Sequence, residues 1–267
     1  MNIHFTNIEL YENLRNSSLV EIEIGSGMYG LKNQNSDTDI MCIYATSESE
    51  KNSFSLSHHQ LQYKDENNKI DYLFVNIHNF LRNCINGDST INFEVINSKI
   101  LLNTSLDFLY NLRKAFYNYK IMRSYLGMAK RDIQRLDIDA KNEYEKNKKV
   151  AHVYRGLTFA KKIYFGNDIE FSEDNINYIK YILWNIKGYE KRKDILDDFL
   201  NDINLFRNKI NKDLDDKKLI NFMSVENQVM LDYHLLKLIN SNEYQNKKMK
   251  DFDMKMVYDA NENGINY

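Results

Sequence analysis

Two short stretches of the chain leave little freedom of fold. SLVEIEIG (Ser18–Gly25) alternates apolar and acidic residues with period two, and TDIMCIYA (Thr38–Ala45) is almost wholly apolar. The first pattern suits a strand with one buried face, the second a strand at the centre of a sheet. Between them runs GSGMYGLKNQNSDTD, which places three of the chain's nine glycines within six residues and ends on two aspartates one residue apart. A turn between strands accounts for the glycines. The aspartates ask for a further reason.

Backbone N–H groups at a glycine turn, together with the Ser26 hydroxyl, can cradle phosphate oxygens, and glycine lets the phosphate come close. Ten residues separate Ser26 from Asp37, enough for a short turn and a loop into the second strand. Asp37 and Asp39 are two apart, so both side chains project from one face of that strand. KIDYLFV (Lys69–Val75) reads as a third strand and carries Asp71 near its start. If the second and third strands are neighbours, three carboxylates converge beside the cradle. Such a set of hard oxygen ligands suits a two-Mg²⁺ phosphoryl-transfer site, in which substrate phosphates complete the coordination. GSGMYG is followed by no G-K-[ST], so it is not a P-loop, and it is not a dinucleotide fingerprint.

The remaining pattern predicts an α+β chain. Thr6 and Asn7 followed by IELYENLRN read as a short capped helix, and Thr46–Asn68 reads as a polar loop. IHNFLRNCING reads as a helix closed by Gly87. From about Leu106 the periodicity turns helical. LDFLYNLRKAFYNYKIMRSYLGMAKRDIQRL and KKVAHVYRGLTFAKKIYFG are long, amphipathic and basic, and three further helical stretches follow. The expectation is a small mixed-sheet domain over residues 1–105 and a helical-bundle domain over 106–267.

Composition narrows the class. With 43% hydrophobic and 28% charged residues, and no uncharged apolar run of about 18 residues, the chain reads as an ordinary globular protein rather than a membrane one. Its first residues carry Glu9 and Glu12 without an apolar core, unlike a signal peptide. Cys42 and Cys84 lack metal-ligand spacing and fit buried thiols in a reducing cytoplasm. The chain has no proline and much Asn, Lys, Ile and Tyr, a bias of AT-rich genomes such as those of phages and low-GC bacteria. The net charge of −2 conceals a basic block: residues 111–162 hold 14 basic and 5 acidic side chains, while residues 1–110 hold 7 and 14. A polyanion-facing surface and a solvated lysine-rich face both fit that block.

Taken together, G-S-x10-D-x-D between two strands resembles the signature of the DNA polymerase β-type nucleotidyltransferase superfamily. The longer form GSGMYGLKNQNSDTDI is similar to the predicted-nucleotidyltransferase branch of bacteria and phages, some of whose members lie beside RNA-repair genes. IDYLFVNIHNFLRNCING resembles that branch's third-carboxylate strand and following helix, and KKVAHVYRGLTFAKKIYFGNDIEF resembles its K-x-x-H-x-x-R helix ending in glycine. DSTINFEVI, which carries Glu94, stands where the family has a turn. The resemblance spans about residues 20–171.

It implies transfer of a nucleoside monophosphate from an NTP to an acceptor hydroxyl with release of pyrophosphate. Gly25 and Ser26 would hold the triphosphate, Asp37, Asp39 and Asp71 would bind Mg²⁺ (or Mn²⁺), and Asp71 would orient or accept the acceptor's proton. Lys149, His152 and Arg155, three residues apart on one helix, would reach the NTP phosphates. The acceptor expected from the basic block and the repair-gene association is an RNA, such as a tRNA 3′ end. A small molecule or protein acceptor, or a non-catalytic nucleotide-binding module, are the alternatives.

Overall fold

A computed structural model describes residues 2–4, 6–32, 37–46, 60–170, 172–215 and 223–247. In chain order its strands are β1 (Asn2–His4), β2 (Ser18–Glu23), β3 (Thr38–Tyr44), β4 (Gln60–Asp65) and β5 (Ile70–Asn76). Helix α1 (Ile8–Asn16) lies between β1 and β2. After β5 come α2 (Ile77–Asn86), α3 (Thr90–Ile96), α4 (Asp107–Asn111), α5 (Tyr119–Gln134), α6 (Leu136–Asp139) and α7 (Glu143–Tyr164). The last are α8 (Glu173–Asn185), α9 (Tyr189–Asp215), α10 (Val225–Ile239) and α11 (Asn242–Lys247). The architecture is α+β, a small mixed sheet followed by helices. Among the described residues no helix is long and apolar enough to cross a membrane.

The chain forms two compact units, and it enters each more than once. One comprises Met1–Asn83, Ser98–Leu112 and Val225–Tyr267, the other Cys84–Asn97 and Arg113–Ser224.

The first unit is built on a five-stranded sheet of order β1-β4-β5-β3-β2. β3 and β5 pair in parallel at its centre, and β2 and β4 flank them antiparallel. The period-two pattern decides what each face does. Ile40, Cys42 and Tyr44 of β3, Ile70, Tyr72 and Phe74 of β5, and Leu61 and Tyr63 of β4 join Leu10, Tyr11 and Leu14 of α1 in one apolar cluster. Tyr11 stacks on Tyr63 with ring centroids 4.3 Å apart. On the other face Met41, Ile43, Leu73 and Val75 are buried as well. At the β2 edge α11 lies alongside, and the Thr46 N–H donates to the buried Tyr244 hydroxyl at 3.1 Å.

With no proline available, asparagine starts several of the helices. Its side-chain oxygen accepts an N–H two or three residues into the helix and so satisfies one of the otherwise orphaned donors of the first turn. Asn7 does this for Leu10 at 3.0 Å, Asn76 for Asn79 at 2.8 Å, Asn118 for Ile121 at 3.1 Å and Asn142 for Glu145 at 2.9 Å. Gly87 closes α2 as expected, with φ of +68°.

In the second unit α5 and α7 pack against each other, with α8 on α7 and α9 against both. Gly156 lets them come close: a Cβ there would stand 3.0 Å from the Tyr125 carbonyl oxygen and 3.4 Å from Ala129 Cβ. The buried Arg192 guanidinium ties α9 to the start of α7. It donates to Asn147 Oδ1 at 3.2 Å and pairs with Glu143, while Asn147 donates to the Ile186 carbonyl at 2.9 Å.

Three expectations from sequence need correction. The polar stretch Thr46–Asn68 contains β4, because Leu61 and Tyr63 alternate with Gln60, Gln62 and Lys64 and find an apolar partner only in the folded sheet; residues 47–59 lie outside the described residues. The long helix expected from Leu106 is instead α4, a 3₁₀ turn at Arg113–Phe116 and α5, divided where Asn118 takes up its capping geometry. DSTINFEVI is a helix, α3, with Ser89 accepting from the Asn92 N–H at 3.2 Å, rather than a turn.

Gly156→Val tests the α5–α7 contact. Glycine replaced at an open helical site normally raises stability, but here the new side chain meets a carbonyl that cannot move without its helix. The expected outcome is a loss of about 1–3 kcal/mol, seen as a lower Tm.

Candidate active site

The glycine turn is shaped by what lies beneath it. The ladder between β2 and β3 extends one step further, with the Ile24 N–H donating to the Asp39 carbonyl at 2.9 Å. That step sets Gly25 directly over the Asp39 side chain. Gly25 has φ of +65°, and a Cβ on it would lie 2.8 Å from Asp39 Oδ2. Both facts demand glycine: the left-handed conformation, and backbone in contact with a carboxylate. Ser26 to Leu31 then fold into a compact turn, closed by Leu31 N–H to Ser26 carbonyl at 2.9 Å and Gly30 N–H to Gly27 carbonyl at 3.1 Å. Gly27 is held against Glu23, whose carboxyl group occupies the space a Cβ would need. Lys32 Nζ lies 2.7 Å from both Glu23 Oε1 and Thr38 Oγ1, linking the end of β2 to the start of β3.

The parallel register of β3 and β5 pairs Thr38 with Ile70 and Asp39 with Asp71. Paired residues on adjacent strands, about 4.8 Å apart, show the same face. Asp39 and Asp71 are therefore side by side on the face opposite α1, next to Gly25. Lys64 of β4 stands opposite Asp71 on its other side. Asp71 is half-buried, and its Oδ1 atom is fully buried without a hydrogen-bond partner among the described residues. An unmet carboxylate oxygen costs several kcal/mol of lost hydration unless something supplies charge or a proton, so it marks a place where a cation or donor fits.

Asp37 stands exposed just before β3. Among the described residues no group of three or more His, Cys, Asp or Glu side chains is gathered closely enough to hold a metal ion. The structure thus brings Asp39 and Asp71 together at Gly25, with Asp37 two residues up the chain from Asp39 and not drawn into the pair.

Lys149, His152 and Arg155 share one face of α7, and each meets an acidic neighbour within the second unit. Lys149 Nζ lies 3.6 Å from Asp132 Oδ1 and 3.2 Å from Asp139 Oδ2, and His152 Nδ1 lies 4.0 Å from Asp132 Oδ2. Arg155 Nε lies 3.7 Å from Glu94 Oε1, which also accepts from the Tyr125 hydroxyl at 3.2 Å. The Glu94 side chain is only 4% exposed. Burial raises the Asp132 carboxyl above its usual range, against the pull of Lys149, Arg131 and Arg155. Burial, then the positive charges of Arg155, Lys148 and Lys149, press the His152 imidazole down to about 3, so it is neutral at pH 7. The side chain keeps 37% of its surface exposed, which leaves it partly hydrated and makes the repulsion from the three cations the firmer cause.

Sequence reasoning singled out the three residues of α7 but not Asp132, which lies beside Lys149 and His152. Asp132 lies on another helix, and only its being the one acid in a basic amphipathic stretch set it apart.

Comparison with known proteins adds one match. The model of a family described as the RNA repair pathway DNA polymerase beta family covers residues 4–173, nearly two thirds of the chain. The match includes the glycine turn, all three aspartates, Glu94, Asp132 and the Lys149–Arg155 face. No curated protein and no solved structure matches the chain. A match of this extent, over a sheet that carries the polymerase β-type signature at adjoining strands, means that the chain belongs to the RNA repair pathway DNA polymerase beta family.

Proposed function

We propose that this protein is a metal-dependent nucleotidyltransferase that moves a nucleoside monophosphate from an NTP to the 3′ end of an RNA, releasing pyrophosphate. The observation that carries the reading is the pairing of Asp39 with Asp71 beneath the backbone of Gly25, with one buried oxygen of Asp71 unmet. Family membership supports the transferase class and the link to RNA repair.

Asp39 and Asp71, joined by Asp37, would hold Mg²⁺ or Mn²⁺, since carboxylates are the hard oxygen donors these ions take. When bound, the metal supplies positive charge at the phosphates and favours ionisation of the acceptor hydroxyl. The turn at Gly25 and Ser26 binds the triphosphate through backbone N–H groups and the serine hydroxyl, and the missing Cβ of Gly25 lets that backbone lie against the Asp39 carboxylate. The acceptor oxygen attacks the α-phosphorus, a new O–P bond forms, and the bond from that phosphorus to the bridging oxygen of pyrophosphate breaks. Asp71 orients the acceptor hydroxyl and takes its proton. By resemblance to the family, Lys149 and Arg155 would serve the NTP phosphates by charge and the neutral His152 by a hydrogen bond.

Incubation with each α-³²P-labelled NTP, Mg²⁺ and total RNA tests this directly. Label should move onto RNA. Asp39→Asn and Asp71→Asn should each cut transfer by about 10²-fold or more without lowering Tm, because amide for carboxylate preserves shape and removes a poorly solvated charge. Transfer at the normal rate in either variant removes the carboxylate pair from the mechanism. Pyrophosphate release without labelled RNA assigns a small-molecule or protein acceptor. Gly25→Ala should lose both stability, by about 1 kcal/mol or more, and activity, since the added methyl group meets Asp39 and strains a left-handed backbone. In Arg155→Ala the KM for NTP should rise with kcat less affected. An unchanged KM would make Arg155 a structural partner of Glu94 alone.

A further inference from the structure

Helix α5 carries a glycine at its middle, and nothing among the described residues requires one there. Gly127 is exposed, is not among the residues of positive φ, and a Cβ added to it would meet nothing within 4 Å. Gly156, on the facing helix, is the opposite case, because close packing forbids a side chain. Alanine at position 127 would favour the helix by roughly 0.5–1 kcal/mol. The glycine therefore costs stability without a return in conformation or packing.

The residues around it supply the reason. At about 100° per residue, Lys120, Arg123, Lys130 and Arg131 fall on one face of α5 roughly 120° wide, with Gly127 near its centre. Arg123 and Arg131 are exposed, and Lys120 and Lys130 are half-buried. The sole acid of the helix, Asp132, is buried on another side, beside Lys149 of α7. Among the described residues Arg123, Lys130 and Arg131 enter no ion pair. Like charges gathered without acids along one helix face are a second concession of stability at the same place. Arg123 lies about one turn before the glycine and Lys130 with Arg131 about one turn after, so cations about 10–12 Å apart flank a bare stretch of backbone.

A bare saddle between cations suits a thin, regularly charged chain that crosses the helix, and it gives no apolar pocket to a protein side chain. We propose that this face of α5 is a docking surface for the phosphodiester backbone of RNA, with Gly127 the point of closest approach. It meets phosphates, so it holds RNA irrespective of sequence and governs affinity rather than base choice. The choice of RNA among polyanions rests on the acceptor assigned above.

Binding is measured without NTP by fluorescence anisotropy, using the full chain and a labelled single-stranded RNA about 20 nucleotides long, between about 50 and 200 mM salt. The triple variant Arg123→Gln, Lys130→Gln, Arg131→Gln should bind about tenfold or more weakly at the lower salt. Its plot of log K against log salt should be shallower by about 2, as follows when about three phosphates of a single strand are no longer neutralised. Gly127→Leu should raise Tm and yet weaken binding, opposite signs that a purely structural role would not produce. No RNA binding by the unaltered protein, or an unchanged salt slope in the triple variant, overturns the proposal. Loss of binding to phosphatidylserine vesicles in the triple variant with RNA binding intact overturns it in favour of a membrane surface. Because no turnover is needed, an inactive protein that binds RNA through this face sinks the transferase reading alone, and an active one with an unchanged slope sinks the docking surface alone.

Discussion

The site in the sheet depends on β3 and β5 running parallel in one particular register. Parallel strands present their starts at the same end of the sheet, so a carboxylate at the second residue of each comes to lie beside its counterpart. A slip of one residue would turn Asp71 to the face where α1 packs and bring a hydrophobic neighbour of Asp71 round in its place. What prevents the slip is the core itself. Tyr72 and Phe74 are buried in the cluster with α1 and the smaller Leu73 and Val75 on the other face, so a slip would force rings into space packed for aliphatic side chains and leave voids where the rings had been. The pair of like charges is thus held together by hydrophobic packing that it does nothing to stabilise.

The second unit follows a related logic in helical form. α7 offers three basic or imidazole groups along one face, and Asp132 and Glu94, from two other elements, fix where those groups stand. Both acids are largely buried, which strengthens their attraction to neighbouring cations and leaves the cations at the surface oriented rather than free to wander. The close approach of α5 and α7 at Gly156 is what brings Asp132 within reach. A loss of density at that contact would be felt as a loss of order in the charges.

How much of this was legible beforehand depended on how local the cause was. β2, β3 and β5 are written in short apolar patterns, and α1, α2 and α7 in period and caps, so each could be read from its own residues. The adjacency of Asp39 and Asp71 was legible only as a condition, because strand order is a tertiary fact. β4 was hidden: Leu61 and Tyr63 are too few and too widely set among glutamines, lysine and acids to announce a strand before β5 and α1 give them a partner. The break between α4 and α5 was hidden because Asn118 ends one periodic stretch by capping the next, with neither glycine nor proline to mark it. Asp132 and Glu94 were missed as partners because their importance lies in what they face.

The interleaving of the two units has a consequence for synthesis on the ribosome. Chains emerge from the N-terminus at about 5–20 residues per second, and domains generally fold as units once their segments are available. Every segment of the helical unit, up to Ser224, has been made before α10 and α11 exist. The unit that carries Asp39 and Asp71 is complete only once Tyr244 reaches Thr46 and His234 stacks on Phe108. Order of translation therefore completes the unit with the basic helices first and the unit with the carboxylates last. The paired carboxylates thus belong to a unit that is still incomplete when every segment of the helical unit already exists.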